Sequence, residues 1–220
     1  MRKVLIPFLA FLISFPSIAD EGMWLPHLLK SLNENEMQSK GLKITAEDIY
    51  SVNKSSLKDA IVALNGGGCT AEMISSEGLM LTNHHCVDDL LQTHSTVENN
   101  YLDDGFWAMS KSEELKNENL SATFLISIED VTSLFKDSLS IELSETERNK
   151  KISEISKKIV SDKSDSTSYS ARVRSFYGGN DFYLITYVTY KDVRLVGAPP
   201  SSIGKFGGDT DNWMLSLIHI

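Results

Sequence analysis

Two cysteines bracket one short stretch of this 220-residue sequence, and the chain has no others. A run of three glycines, residues 66–68, leads into Cys69, and a pair of histidines stands directly before Cys86. Between the cysteines, two short apolar segments flank Glu77-Gly78, a pattern that is typical of a β-hairpin. The stretch from Gly66 to Cys86 therefore predicts a hairpin with a cysteine near each end.

The first residues have the pattern of a secretory signal peptide. Arg2 and Lys3 precede an almost wholly apolar run from Val4 to Phe15, and Ser17-Ile18-Ala19 has the small-x-small form of a cleavage site. Because a membrane-spanning helix needs about 20 apolar residues, this run is too short for a span. We expect cleavage after residue 19, a mature chain of residues 20–220, and a periplasmic or secreted location in a Gram-negative bacterium.

Export decides how the two cysteines are interpreted. In an oxidising compartment such a pair usually forms a disulfide. Cys69 and Cys86 lie 17 positions apart, so a bond between them would close a loop worth roughly 3 kcal/mol. Two buried free thiols are the alternative.

Composition and charge narrow the classes of function. A hydrophobic content of 41% supports an ordinary globular core. The formal net charge of -9 argues against nucleic acid as a partner, because binding to phosphate needs clustered Lys and Arg.

Hydrophobic spacing predicts a mainly β chain with some helices. The predicted strands are Ala60 to Leu64, the two arms of the hairpin, Thr123 to Ile128, and the β region Tyr183 to Val196 with a turn or bulge at Lys191-Asp192. The predicted helices are Leu28 to Met37, a short helix behind a Thr45–Asp48 capping box, one or two turns after Cys86, and Leu134 to Val160 with Ile152, Ile155 and Ile159 on one face. The predicted loops are His94 to Ala108, Ser161 to Ser170 and Ile203 to Trp213.

His85 is the sharpest candidate for chemistry, because an imidazole can take a proton from a hydroxyl and return it to a leaving amine near neutral pH. His84 is expected to be a supporting residue. A zinc site made of both histidines with Cys69 and Cys86 is disfavoured, since zinc ligands are usually about two to four residues apart and adjacent side chains on a strand point to opposite faces. We predict no metal and no cofactor.

A base of this kind needs a nucleophile and a carboxylate. Asp192, Asp209 and Asp211 are carboxylates in the second half of the chain, and Ser201 and Ser202 follow two prolines. Neither serine has the Gly-x-Ser-Gly setting of a chymotrypsin-like nucleophile, so both are predicted to be turn residues. Spacing alone therefore yields a base without a nucleophile.

Several motifs in one order resemble a known family. The segments DEGMW, GGGCT, TNHHC, HSTVENNYLDDGFWA, FYGGN and DVRLVGAPPSSIGKFGGDTDNW are similar to those of the bacterial dipeptidyl-peptidases of the 7 and 11 types. The resemblance covers residues 20–214. It implies an exported serine exopeptidase with a chymotrypsin-like double β-barrel and an inserted helical domain, of which this chain would supply the N-terminal barrel.

The resemblance also implies roles for individual residues. His85 matches the catalytic general base, and Cys69 and Cys86 match a disulfide. Asn212 and Trp213 match residues that hold the free N-terminus of the substrate, which makes such enzymes release dipeptides. The implied partner is an oligopeptide with a free N-terminus, and the full-length relatives are homodimers.

Two departures from the family pattern carry further expectations. Val87-Asp88 stands where the family has Gly-Tyr, and the tail from about residue 215 departs from the family's run before the triad aspartate. The resemblance puts that aspartate, the nucleophilic serine and the helical domain beyond these residues. We therefore expect an incomplete peptidase domain with an open sheet edge that is inactive alone; the alternative is a secreted module that binds peptide N-termini without cleaving them.

Overall fold

The computed structural model describes residues 22–139, 143–164, 169–204 and 215–220. The predicted signal peptide lies outside these ranges, and so do Asn212 and Trp213. Most of the predicted loop at 203–213 is outside them as well, because only its first two residues are described.

Ten strands form in the described ranges, and all ten belong to one sheet. In chain order they are β1 (Ile61–Leu64), β2 (Cys69–Met73), β3 (Leu79–Asn83), β4 (Phe106–Trp107), β5 (Leu115–Asn117), β6 (Ala122–Asp130), β7 (Tyr169–Phe176), β8 (Asp181–Tyr190), β9 (Val193–Ala198) and β10 (Leu215–His219).

Every strand pair in the sheet is antiparallel. The order across the sheet is β4-β9-β10-β3-β2-β1-β6-β8-β7, with β5 also beside β9. Strand β10 therefore lies in the interior, paired with β3 on one side and β9 on the other. The open edges of the described sheet are at β4 and β5 on one side and at β7 on the other.

Helices in the described ranges connect the strands. They are α1 (Leu29–Leu32), α2 (Glu34–Ser39), α3 (Ala46–Ile49), α4 (Asp88–His94), α5 (Tyr101–Asp104), α6 (Ser133–Lys136), α7 (Glu145–Ser164) and α8 (Ser201–Gly204). Turns of 3₁₀ helix are at Pro26–Leu28, Leu57–Ala60 and His84–Cys86. No helix among the described residues is long and apolar enough to cross a membrane.

The predicted capping box at the start of α3 is confirmed. The Thr45 hydroxyl accepts from the Asp48 backbone N–H at 3.2 Å, and the Asp48 carboxylate accepts from the Thr45 backbone N–H at 2.9 Å. Two N–H groups at the helix start thereby gain partners. The hydrogen bonds from Thr45, backbone first, lower the pKa of Asp48 to about 2. Ser56 and Asp59 form the same box one turn before β1.

The main core lies where the hairpin meets β1, β9, β10 and α4. Its fully buried members include Val62, Met80, Leu91, Leu195 and Ile218. These residues come from four strands and one helix that are far apart in the sequence, so the tertiary fold, and not local pattern, brings them together.

A second core lies under α7. The Phe135 and Phe182 rings stack with centroids 4.0 Å apart. Ile152, Ile155 and Ile159 pack against this cluster, which confirms the predicted apolar face of the helix.

The predicted fold class, mainly β with some α, is confirmed, and most predicted elements are present. Two predictions about loops are wrong. The segment His94 to Ala108 contains α5 and β4, because Phe106 and Trp107 pair with β9. The segment Ser161 to Ser170 is not all linker, since α7 continues to Ser164 and β7 begins at Tyr169. The spacing also does not predict β7, whose exposed residues gain a partner only from β8.

Ile218 tests how much the interior strand stabilises the sheet. Its side chain is fully buried between β3 and β9. We expect Ile218→Ala to lower the free energy of unfolding by about 2–5 kcal/mol, because it removes buried methyl groups and leaves a cavity. Urea denaturation measures this. Ile74→Ala, at a side chain that is about half exposed, is the matched control and should change stability by about 0.5 kcal/mol or less.

The ring of His27 lies edge-on to Tyr183, with centroids 4.6 Å apart. Neither ring nitrogen has a hydrogen-bond partner among the described residues. Burial lowers the pKa of His27 below its ordinary value of 6.5, and the Asp130 carboxylate opposes this shift only in part. The folded state therefore favours the neutral imidazole.

We expect the chain to lose stability as the pH falls below about 6.5, the ordinary pKa of histidine. The unfolded chain then binds a proton that the folded imidazole takes up only at lower pH. Urea denaturation at about pH 7.5 and about pH 5.5 checks this, with His27→Gln as the comparison. The loss between the two pH values should be smaller in the variant, and equal losses would contradict the assignment to His27.

Candidate active site

The hairpin predicted between the cysteines is formed by β2 and β3. Its register pairs Ala71 with Thr82 and Met73 with Met80. At the turn, the Ser75 hydroxyl accepts from the backbone N–H of both Glu77 and Leu79, each at 3.2 Å. Gly78 has a φ of 93°, a conformation that favours glycine. Local chemistry therefore closes the turn where the sequence predicts it.

A disulfide ties the two ends of this hairpin together. Cys69 and Cys86 are bonded, with their Cα atoms 6.1 Å apart, so the predicted bond is confirmed and the alternative of free thiols is wrong. The bond connects the first residue of β2 to the 3₁₀ turn His84–Cys86, which follows β3 directly. The backbone N–H of Val87 closes that turn by donating to the His84 carbonyl at 3.0 Å.

The two histidines of the turn have opposite environments. His85 is exposed, and its ring lies beside the disulfide, since a ring nitrogen and the two sulfurs are within 4.8 Å of one another. Because those sulfurs are bonded to each other, they offer no thiolate to a metal ion. His84, in contrast, is fully buried. An exposed imidazole next to a rigid covalent link can act in proton transfer on a bound substrate.

The buried His84 ring contacts three elements of the fold. Its Nδ1 lies 3.2 Å from the Ser216 hydroxyl on β10. Its Nε2 lies 3.0 Å from an Asp88 carboxylate oxygen on α4, at ion-pair distance but not aligned as a hydrogen bond. Gly204 of α8 lies against the ring face, because a Cβ built there would be only 2.3 Å from a ring carbon.

The other predicted site residues are distributed as follows. Ser201 and Ser202 are in α8, the single helical turn after the two prolines, as their prediction as turn residues requires. Asp192 is bound by the Arg194 guanidinium at 2.8 and 3.1 Å, and this contact lowers the pKa of the carboxyl. Asp209 and Asp211 lie outside the described residues.

The structure adds three residues that the sequence reasoning does not identify as part of the site. Asp88, Gly204 and Ser216 surround His84. One local signal was available, because Asp88 follows His84 by four residues, the spacing at which side chains meet on a helical turn. Gly204 and Ser216 give no local signal, since the turn and the sheet bring them from the other end of the chain.

A disulfide-braced, antiparallel β domain that presents an exposed histidine is a class of structure found among hydrolases. This chain belongs to the peptidase S46 family, whose pattern matches residues 19–215. The predicted resemblance to the bacterial dipeptidyl-peptidases is confirmed by this match.

Relatives that are named dipeptidyl-peptidases support the family assignment. An Asp/Glu-specific dipeptidyl-peptidase of Flavobacterium psychrophilum is 51% identical over 212 residues, covering 96% of this chain. A dipeptidyl-peptidase 7 of Capnocytophaga gingivalis is 46% identical over 216 residues, covering 97% of this chain. This chain spans about 30% of the length of each of these relatives.

The solved structure of a relative has the same fold as this chain. DPP11 of Porphyromonas endodontalis, in complex with the dipeptide Arg-Glu, matches 91% of this chain with a TM-score of 0.75 and 42% identity. The match covers 30% of that chain. The fold described above is therefore the fold of one part of a dipeptidyl-peptidase.

Removal of the disulfide should destabilise the whole hairpin. We expect the double variant Cys69→Ser with Cys86→Ser to lose about 3 kcal/mol of unfolding free energy, because the unfolded chain is no longer cross-linked. Urea denaturation with and without a thiol reductant measures this. The reductant should lower the stability of the wild type towards that of the variant and leave the variant unchanged. A wild type that is insensitive to complete reduction would contradict the prediction.

Proposed function

We propose that this chain provides the general-base side of a serine-type dipeptidyl-peptidase that releases dipeptides from peptide N-termini, with His85 as the base. The observation that carries the proposal is the contrast at the turn after β3. His85 is exposed, whereas its neighbours His84 and Cys86 are held by burial and by the disulfide. A base must be held in a fixed direction and still reach the substrate.

The chemistry proposed for His85 is proton transfer in both directions. The imidazole takes the proton of a serine hydroxyl as the hydroxyl oxygen attacks the peptide carbonyl carbon. It then gives this proton to the nitrogen of the departing peptide, and water later releases the dipeptide from the serine. The family resemblance puts the serine and the triad aspartate in the part of the longer relatives that these residues do not span.

Release of dipeptides requires recognition of the substrate's free N-terminus. We assign this to Asn212 and Trp213, on the family resemblance. An amide oxygen can accept hydrogen bonds from an ammonium group, and an indole offers an apolar wall or a cation-π face. Support for a related substrate class comes from the P. endodontalis relative, whose solved complex contains the dipeptide Arg-Glu.

The compartment proposed for this chemistry is outside the cytoplasm. The N-terminal pattern of residues 1–19 is that of a signal peptide. The disulfide supports export, since such bonds persist in oxidising compartments such as the periplasm.

A chimera tests the role of His85. Residues 20–214 of this chain would continue into the remaining part of the F. psychrophilum relative, which is 51% identical where the two overlap. We expect the chimera to release dipeptides with an acidic second residue, and His85→Ala to reduce kcat/KM by about a thousandfold or more, because the nucleophile loses its base.

The matched control is His94→Gln, at a second histidine whose ring nitrogen lies 3.0 Å from the Asn117 side chain and outside the proposed machinery. Its activity should stay near that of the unchanged chimera. An active chimera in which His85→Ala keeps its activity would overturn the proposed role.

Residues 20–220 by themselves should not hydrolyse a chromogenic dipeptidyl substrate, because the family resemblance puts the nucleophilic serine beyond these residues. The assay uses purified protein, with the active chimera as positive control. Clear turnover would contradict the prediction. Binding of a dipeptide without turnover, measured by calorimetry, would favour the alternative of a module that captures peptide N-termini.

A further inference from the structure

His84, the residue directly before the candidate base, contacts three separate elements of the fold. It is fully buried, and its two ring nitrogens face two different elements: Asp88 at 3.0 Å on α4 and Ser216 at 3.2 Å on β10. Gly204 of α8 closes one face of the ring. A buried imidazole is costly unless polar groups compensate for the lost water. Here Nδ1 has a hydrogen-bond partner in Ser216, and Nε2 lies at ion-pair distance from Asp88.

The chemistry of the two partners influences which nitrogen of the His84 ring carries a proton. An ionised carboxylate can only accept, so the Asp88 side of the ring favours a proton on Nε2. In the neutral ring, Nδ1 is then an acceptor, and the Ser216 hydroxyl donates to it. These contacts place a polar group beside each ring nitrogen and so restrict the orientation of the ring.

Asp88, His84 and Ser216 are the residue types of a hydrolase triad, but they do not form a second active site. Ser216 is 1% exposed and His84 is 0% exposed. A substrate carbonyl would need to approach the serine oxygen to within about 3 Å, and the buried position of Ser216 prevents this. The cluster is closed to substrate, so any role that it has in catalysis must act through neighbouring residues.

The neighbouring residue that this cluster can influence is His85. The 3₁₀ turn has three residues, and the first and last are each held from outside the turn. Cys86 is held by the disulfide to β2, and His84 is held by α4, α8 and β10. The backbone on both sides of His85 is thereby fixed, while the His85 side chain remains exposed.

We propose that His84 is a positioning residue, a buried bridge from Asp88 to Ser216 that fixes the 3₁₀ turn and so sets the direction of the His85 imidazole. The proposal rests on the proposed role of His85 as general base. In residues 20–220, Ser216 thereby links the interior strand β10 to the turn that carries His85.

Imidazole NMR of residues 20–220 tests the bridge without any need for catalysis. The chain has five histidines, and single His→Gln variants assign their ¹H–¹⁵N signals. We expect Ser216→Ala and Asp88→Asn each to change the His85 ring chemical shifts and its tautomer ratio, because the ring gains new orientations. Ser216→Thr keeps the hydroxyl and should restore the wild-type signals.

Asp89→Asn is the matched control for charge. Asp89 is the next residue on α4, is exposed and carries the same charge as Asp88. Its replacement should leave the His85 signals unchanged. If Asp88→Asn and Ser216→Ala lower the melting temperature but leave the His85 signals as in the wild type, His84 is merely structural and the proposal is wrong.

Gly204→Ala tests the same bridge without the loss of any polar group. The new Cβ would meet the His84 ring at 2.3–2.4 Å, so the contact between the ring and α8 must rearrange. Gly68→Ala is the control, because a Cβ there comes no closer than 4.0 Å to another atom. The first variant should alter the His85 signals and the second should not. Since these readouts need no turnover, failure of the bridge is distinct from failure of His85 as the base, which the chimera tests.

Discussion

The bond between Cys69 and Cys86 is the constraint on which the candidate site depends. It joins the beginning of β2 to the turn after β3, and β2 and β3 are already joined by their backbone ladder. Ladder and bond together close a small ring of chain, so the turn that carries both histidines has little freedom to move. The disulfide therefore limits the movement of the backbone that carries His85.

The interior position of β10 supplies the second constraint. Pairing with β3 and β9 buries Ile218 in the core and places Ser216 on the His84 ring. A strand that stabilises the sheet thus also supports the candidate site. Polar groups in such a place are tolerated because they interact with one another, and a single missing partner would leave the others buried without compensation.

The family assignment and the environment of His85 agree with each other. The chain matches peptidase S46 over nearly its whole length but spans about 30% of its relatives. An exposed imidazole on a rigid turn is what the base side of a hydrolytic site requires. The disulfide and the buried His84 provide that rigidity on either side of His85.

Local signals were sufficient for features that depend on neighbours in the chain. The turn at Gly78, the capping box at Thr45 and Asp48, and the apolar face of α7 each arise from spacing over a few residues, and the only two cysteines left one possible intramolecular bond. Local signals were insufficient for β7 and for the β4 segment at Phe106 and Trp107. These strands have weak patterns and exist because β8 and β9 offer unpaired backbone groups beside them.

The two adjacent histidines show most clearly which features depend on local sequence and which depend on tertiary structure. The sequence by itself determined that a histidine pair would stand at the end of a disulfide-closed hairpin, because the hairpin pattern and the cysteines are local. Only the tertiary structure decided that His84 is buried and His85 exposed. The reason is that Ser216, 132 positions further along the chain, and Gly204 cover one ring and not the other, and no spacing within the hairpin encodes that contact.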